Sequence, residues 1–385
     1  MSLKELTKYT VDDIEKRRMI YDVTELFEEA MLSKYSLKEE LREVKVFKCR
    51  SLEYHELTKV CPKCGRKYPD EENFCFDCQV RLKKISGINV GDIEINPDFK
   101  VKGTNEWHDF EDIFSQENLD LIDAFDFKIK DFNKIIRNIK STVLKRMDRT
   151  VKDNHIPLNS LSIEDKVMLF AKSFVNVEYK SYGRELGYFE FNRICVDDRQ
   201  LAALQITTLL HELSHFILKE IIAEILCNIL DATKTPEMES IAIFILSYTP
   251  INQLIDEYAA HTVEGRFTLF GYQDYSSFLN IQKQIDLPAE EIEMIKTIGN
   301  SFSVSIKDIL ETFIDDELLD EIKDRFKKDI LDRPDYDNLA MENCTLLNDN
   351  GMVRAIGFIV RDGFMIATEN IGTLKEYNQA LEVEK

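Results

Sequence analysis

Between Asp198 and Pro236 the chain carries neither glycine nor proline. Nothing there interrupts a helix, so the stretch predicts a long helix, straight or bent, beginning near Asp198. Within it stands "LLHELSHFIL", Leu209 to Leu218. The chain has six histidines, and two of them, His211 and His215, sit here four residues apart. One helical turn separates them, so both imidazoles leave the same face and can grip one ion. Glu212, beside the first, can reach a water on that ion without being a ligand. An ion held there would lower that water's pKa toward about 7; Glu212 would take the proton as the oxygen attacks a carbonyl carbon, then return it to the leaving amine. Leu213 is expected beneath the site, with Leu209, Leu210 and Phe216 along its flanks. The plainer reading is two core histidines satisfied by hydrogen bonds.

A hydrolytic site needs a third protein ligand and an open fourth position. "HELSHFILKEII" offers no further histidine, and Glu224 lies too far along its own helix to converge. The third ligand is expected in "IDEYAAHTVEGRF", a later helix that carries Glu257, with Asp256 and His261 as alternatives. Small residues such as Ala260 would let that helix approach closely. Tyr258, Tyr188, Tyr182 and Arg266 are the polar candidates for stabilising an oxyanion.

A second metal pattern precedes the first. "CPKCGRKYPDEENFCFDC" holds two Cys-x-x-Cys pairs, Cys61 with Cys64 and Cys75 with Cys78. Each such turn points two thiolates at one ion, and two turns complete a tetrahedral four-sulfur shell suited to Zn(II). The block resembles the zinc-ribbon family over roughly 25 residues, with Gln79 standing where glycine often follows the second pair. A closed four-thiolate site has no open position, so its expected role is structural. Between Lys59 and Lys84 there are seven basic and four acidic residues, a local +3 on a chain of formal charge -21. A docking surface for a protein partner, or a solvated face, is the expected reading. The overall charge argues against general affinity for nucleic acid or anionic membrane.

The remaining patterns give an α+β outline. A helical segment is expected over 1–57, the ribbon over 58–85, a linker with one short strand over 86–120, and the main domain over 121–280. That domain opens with an amphipathic helix, Asp126 to Asp148, whose inner stripe is Phe127, Phe132, Ile135, Ile136 and Ile139. Its basic face is expected to be solvated. Ser162 reads as an N-cap with Asp165 three residues on. "VNVEY" and "GYFEFNRICVDD" then alternate with period two, predicting a small antiparallel sheet punctuated by Gly183 and Gly187. Helices follow over Glu237 to Tyr248 and Ile251 to Phe267. Residues 281–385 read as helical to Leu331, then as a β-meander with tight turns at Asn350-Gly351 and Asp362-Gly363.

The order hairpin, "TTLLHELSHFIL", then Glu-x-x-Ala on a following helix resembles the ImmA/IrrE-type zinc metallopeptidases, within the wider zincin group, over about 160 to 270. The resemblance implies His211, His215 and Glu257 as ligands of a catalytic zinc, Glu212 as general base, and a protein or peptide substrate that adds as a strand at the cleft rim. Two departures stand out: a long gap between His215 and Glu257, and His261 where related chains often have Asp or Asn. Two zinc ions per chain are implied, one catalytic and one structural. The competing reading is a zinc-ribbon adaptor for protein or nucleic acid with a silent zincin domain. Cys49, Cys195, Cys227 and Cys344 are scattered, no secretory signal opens the chain, and no apolar run suits a membrane span. These features lead to the expectation of a cytoplasmic protein.

Overall fold

The computed structural model describes residues 57–63, 67–69, 72–75, 78–84, 90–93, 103–158, 161–179, 186–198, 202–267, 276–329 and 345–383. The helical segment expected over 1–57 lies outside these apart from Leu57, as do Cys64, Tyr182 and Gly183.

The cysteine block forms five short strands: β1 (Leu57–Val60), β2 (Lys67–Pro69), β3 (Phe74–Cys75), β4 (Val80–Arg81) and β5 (Lys83–Lys84). β1 lies between β2 and β5, antiparallel to both, and β3 pairs with β4. Their buried core is Cys61, Cys75 and Leu82, with Tyr68, Cys78 and Val80 packed against it. So small a core needs a staple to hold it.

The stretch expected as a linker is helical over much of its described length. A 3-10 turn spans Val90–Asp92, followed by α1 (Phe110–Ile113) and α2 (Gln116–Ala124). Val90, Ile93, Phe110 and Ile113 all enter the main core, so these residues contribute packing as well as connection. Next come α3 (Ile129–Asp153) and α4 (Ile163–Lys172). The Lys172 ammonium binds the carbonyls of Val90 and Gly91, at 3.1 and 2.7 Å, and fixes the turn to α4. α3 buries Phe132, Ile135, Ile136 and Ile139 as expected, and Val143 and Met147 continue the stripe. Its Lys130, Lys134, Arg137, Lys145 and Arg149 are solvent-exposed. Ser162 caps α4: its Oγ accepts from Asp165 N at 3.1 Å and donates to Asp165 Oδ2 at 2.9 Å.

A three-stranded sheet follows, β6 (Asn176–Tyr179), β7 (Gly187–Glu190) and β8 (Arg193–Val196), in the order β6-β8-β7. The expected all-antiparallel arrangement is corrected here. β7 and β8 form an antiparallel hairpin, whereas β6 and β8 are parallel. The chain leaves β6, enters the far edge as β7, and returns through the middle as β8, which therefore runs with β6. The hairpin turns at Phe191, whose φ of 50 is the left-handed value that tight two-residue turns require.

The long helix predicted from the absence of glycine and proline is α5 (Ala202–Ile229), and it is buried on nearly every side. Around it pack α3, α4, the sheet, α6 (Pro236–Ser247), α7 (Pro250–Phe267), α9 (Ala289–Leu310) and α10 (Asp316–Asp329), with α8 (Ser276–Gln282) against α7.

The β-meander is a second correction. Those residues form α11 (Asp349–Thr368) and α12 (Ile371–Val383), both packed on α6. Neither expected turn is one. Asn348 is the N-cap of α11, accepting from Gly351 N at 2.9 Å, so Gly351 stands in the first helical turn. A Cβ on Gly363 would lie 2.8 Å from Ile245 Cγ1, so glycine there permits close helix approach. One continuous apolar cluster runs from Val90 to Leu374 and includes residues on both sides of the expected boundary at 280. Among the described residues, no helix is long and apolar enough to cross a membrane.

Candidate metal centre

α5 and α7 cross so that the HELSH turn of one faces "DEYAAH" of the other. The helical four-residue spacing sets His211 and His215 side by side, their Nε2 atoms 3.2 Å apart. Glu257 Oε2 closes the triangle, 3.7 Å from His211 Nε2 and 3.9 Å from His215 Nε2. An ion equidistant from three atoms with these edges lies at least about 2.1 Å from each, within a few tenths of an ångström of the Zn(II) bond length to imidazole nitrogen and carboxylate oxygen. The donor set and its spacing therefore fit a divalent ion of the zinc class. Ala259 and Ala260, fully buried beside Glu257, let the two helices approach. Leu209, Leu210 and Leu213 are fully buried and Phe216 nearly so, on a helix buried on nearly every side.

The other ring nitrogens meet carboxylates. Asp256 Oδ2 stands 2.9 Å from His215 Nδ1, and Glu264 Oε2 stands 3.2 Å from His211 Nδ1. The contact to Glu264 is a hydrogen bond, that to Asp256 is a charge contact, and both Nε2 atoms are left on the side of Glu257. Asp256 thus stands at the Nδ1 side of His215, whereas Glu257 faces its Nε2 side. His261 lies close by, its ring centroid 4.5 Å from that of His211 and its Nε2 4.0 Å from Glu257 Oε2, and with His211 and Glu264 it forms a second group spaced to hold an ion. Its Nε2 meets Ser277 Oγ at 2.7 Å.

The charges reinforce one another. Burial opposes protonation of His211, but Glu257 and Glu264 outweigh it and hold its pKa well above the ordinary histidine value. Asp256 and Glu257 raise His215 against the same opposition. Burial likewise opposes ionisation of Glu257, yet the three histidines hold its carboxyl well below the usual range. Glu264 is lowered in the same way by His211 and His261.

Glu212, the residue after His211, is buried under the first residue of β7, and its charge acts on His211. A Cβ on Gly187 would fall 2.3 Å from Thr208 Cγ2 and 3.4 Å from Glu212 Cγ. Glycine here opens β7, as its punctuating place in the sequence suggests, and also serves close approach of strand to helix. β7 is the outer strand, and no further strand pairs with it among the described residues.

At the cysteine block, the sulfurs of Cys61, Cys75 and Cys78 lie within 4.8 Å of one another. Lys63 N approaches Cys61 Sγ at 3.4 Å and the Tyr68 hydroxyl approaches Cys75 Sγ at 3.0 Å, both as donors suited to a thiolate. Gln79 takes φ 51, the left-handed conformation that glycine would adopt more easily, and its N–H binds Cys75 O at 2.8 Å.

Other polar side chains of α5 and α7 make contacts of their own. Arg266 is committed to α9 through Asn300 Oδ1 at 2.9 Å and Ser303 Oγ at 3.3 Å. The Tyr258 ring packs on Phe278. Glu220 is clasped by Lys219 and Lys234 at 2.7 and 2.6 Å, which hold its carboxyl down to about 2 against the effect of burial. Glu224 lies near that cluster, where burial pushes its carboxyl up to about 7. Glu264 and Ser277 were not anticipated. Glu264 follows Glu257 by two helical turns on the same face, a signal present in "EYAAHTVE"; Ser277 sits on a separate helix and has none.

The chain matches no protein-family model, and neither a curated protein nor a solved structure shows significant similarity to it.

Proposed function

We propose that the chain is a zinc-dependent metallopeptidase of the zincin type with an N-terminal zinc ribbon. The observation that carries this reading is the triangle of His211 Nε2, His215 Nε2 and Glu257 Oε2, with Glu212 next to the first ligand in the chain and buried. His211, His215 and Glu257 hold a catalytic zinc, and Cys61, Cys64, Cys75 and Cys78 hold a structural one. When bound, the catalytic ion supplies Lewis acidity toward a carbonyl and acidifies a water. Glu212 accepts a proton at its carboxylate and delivers it to the departing amine. Asp256 and Glu264 keep the imidazoles in register. The outer edge of β7, held against α5 by Gly187, takes an extended peptide as an added strand. The reduced cysteines, including buried Cys195 and Cys227, suit a cytoplasmic setting.

Glu212→Gln tests the reading against that of a silent adaptor. The variant is expected to keep its full metal content while peptide hydrolysis falls roughly 10²–10⁴-fold, the range of a lost general base. An adaptor would show no hydrolysis in wild type and an unchanged phenotype in the variant.

A further inference from the structure

Behind the three ligands runs a chain of polar contacts with no ligand of its own. Glu264 Oε2 is hydrogen-bonded to His211 Nδ1 at 3.2 Å and lies in ion-pair contact, without hydrogen-bond geometry, 3.4 Å from His261 Nδ1. From the other side of that ring, His261 Nε2 meets Ser277 Oγ at 2.7 Å, and the Ser277 hydroxyl donates to Glu257 Oε2. The contacts thus pass from one ligand, His211 on α5, through Glu264, His261 and Ser277, to a second ligand, Glu257 on α7. Ser277 belongs to α8, so three helices are joined.

Each linking residue is buried: His261 is 5% exposed, Glu264 4% and Ser277 3%. Polar groups in a core cost free energy unless they are hydrogen-bonded, and apolar side chains would fill the same space without that cost. Their placement is also specific. Glu257, His261 and Glu264 recur at four and then three residues, which is one face of α7. Glu257 Oε2 is both the acceptor of the Ser277 hydroxyl and the oxygen nearest the histidine Nε2 atoms. A carboxylate oxygen has two lone pairs, so Ser277 occupies one and turns the other toward the ion position.

We propose that Glu264 and Ser277 are positioning residues of the metal centre, with His261 as the strut between them. Glu264 sets the ring of His211, and Ser277 sets the carboxylate of Glu257. This rests on the reading of His211, His215 and Glu257 as ligands.

The test is competition of the full-length protein against a chromophoric chelator for Zn(II). It is paired with the visible spectrum of the Co(II)-substituted protein and with melting curves. Glu264→Gln and Ser277→Ala are each expected to weaken the catalytic site about 10- to 100-fold, the range of lost outer-shell partners. Both should alter the Co(II) spectrum without changing the number of ions bound per chain. Ser277→Thr, which keeps the hydroxyl, is expected to restore wild-type affinity and spectrum. An unchanged dissociation constant and spectrum in Glu264→Gln and Ser277→Ala, even with lowered melting temperatures, would overturn the proposal. So would loss of one whole ion in Glu264→Gln with the remaining affinities intact, because His211, His261 and Glu264 would then be a second metal site themselves. Should Ser277→Ala fail to fold, Glu264→Gln and Ser277→Thr still decide the matter. A wild type that binds no ion at His211 and His215 sinks the ligand reading, and the proposal with it. Tight wild-type binding with equally tight variants sinks the positioning role alone.

Discussion

Glu257 Oε2 stands 3.7 Å from His211 Nε2, too far for a hydrogen bond and close enough for one ion to bond both atoms. Glu257→Gln keeps the shape and removes the charge. It is expected to weaken zinc binding by more than about 100-fold, beyond the range of an outer-shell loss. Chelator competition measures this, and a change of less than about tenfold would remove Glu257 from the ligand set.

Zinc affinity should depend on pH above the range where an isolated histidine titrates. Glu257 and Glu264 raise the pKa of His211, and Asp256 and Glu257 that of His215, against the effect of burial. Protons and metal compete for these nitrogens, so affinity falls as pH falls. Because both folded-state values lie above 6.5, affinity is expected to keep climbing as pH rises past that point. Titrations between pH 6 and 8 check this, and a dissociation constant flat above pH 6.5 would contradict it.

Glu224 offers a separate pH test. Burial pushes its carboxyl to about 7 from the ordinary 4.5. A raised carboxyl pKa means that folding favours the protonated form. No cost arises below the unfolded value, and a penalty grows as pH rises toward the folded value. Glu224→Gln should therefore leave stability nearly unchanged at pH 4.5 and raise it at pH 8, by no more than about 3.5 kcal/mol. Denaturant unfolding at the two pH values reads the difference, and equal effects at both would be contrary.

Gly187→Ala tests the contact of β7 with α5. Its Cβ would meet Thr208 Cγ2 at 2.3 Å and the Cys195 carbonyl at 3.0 Å. The carbonyl belongs to β8 and cannot yield alone, so a loss of about 1–3 kcal/mol is expected. An unfolding midpoint unchanged from wild type would show that the strand does not lie so close.

The HELSH helix, its neighbours α6 and α7, and the cap at Ser162 were legible because helical periodicity and capping are local signals. The C-terminal segment was misread for an equally physical reason. Asn350-Gly351 and Asp362-Gly363 are turn dipeptides, but Met352, Ala355, Ile356, Ile359, Val360, Phe364 and Ala367 recur at helical spacing. Burial of that stripe outweighs two local preferences. The parallel pairing of β6 with β8 depends on where the chain re-enters the sheet, which alternation along a strand does not encode. The convergence of His211, His215 and Glu257 was expected from spacing and resemblance, whereas Glu264 and Ser277 come to them only when α5, α7 and α8 meet.

Metal content decides the central claim most directly. Zinc per chain should be measured by elemental analysis after gentle dialysis, for wild type and His215→Ala. The account predicts two ions in wild type and one in the variant, with the survivor held by the cysteine block. One ion in both proteins would contradict it, because the HELSH helix would then hold no metal.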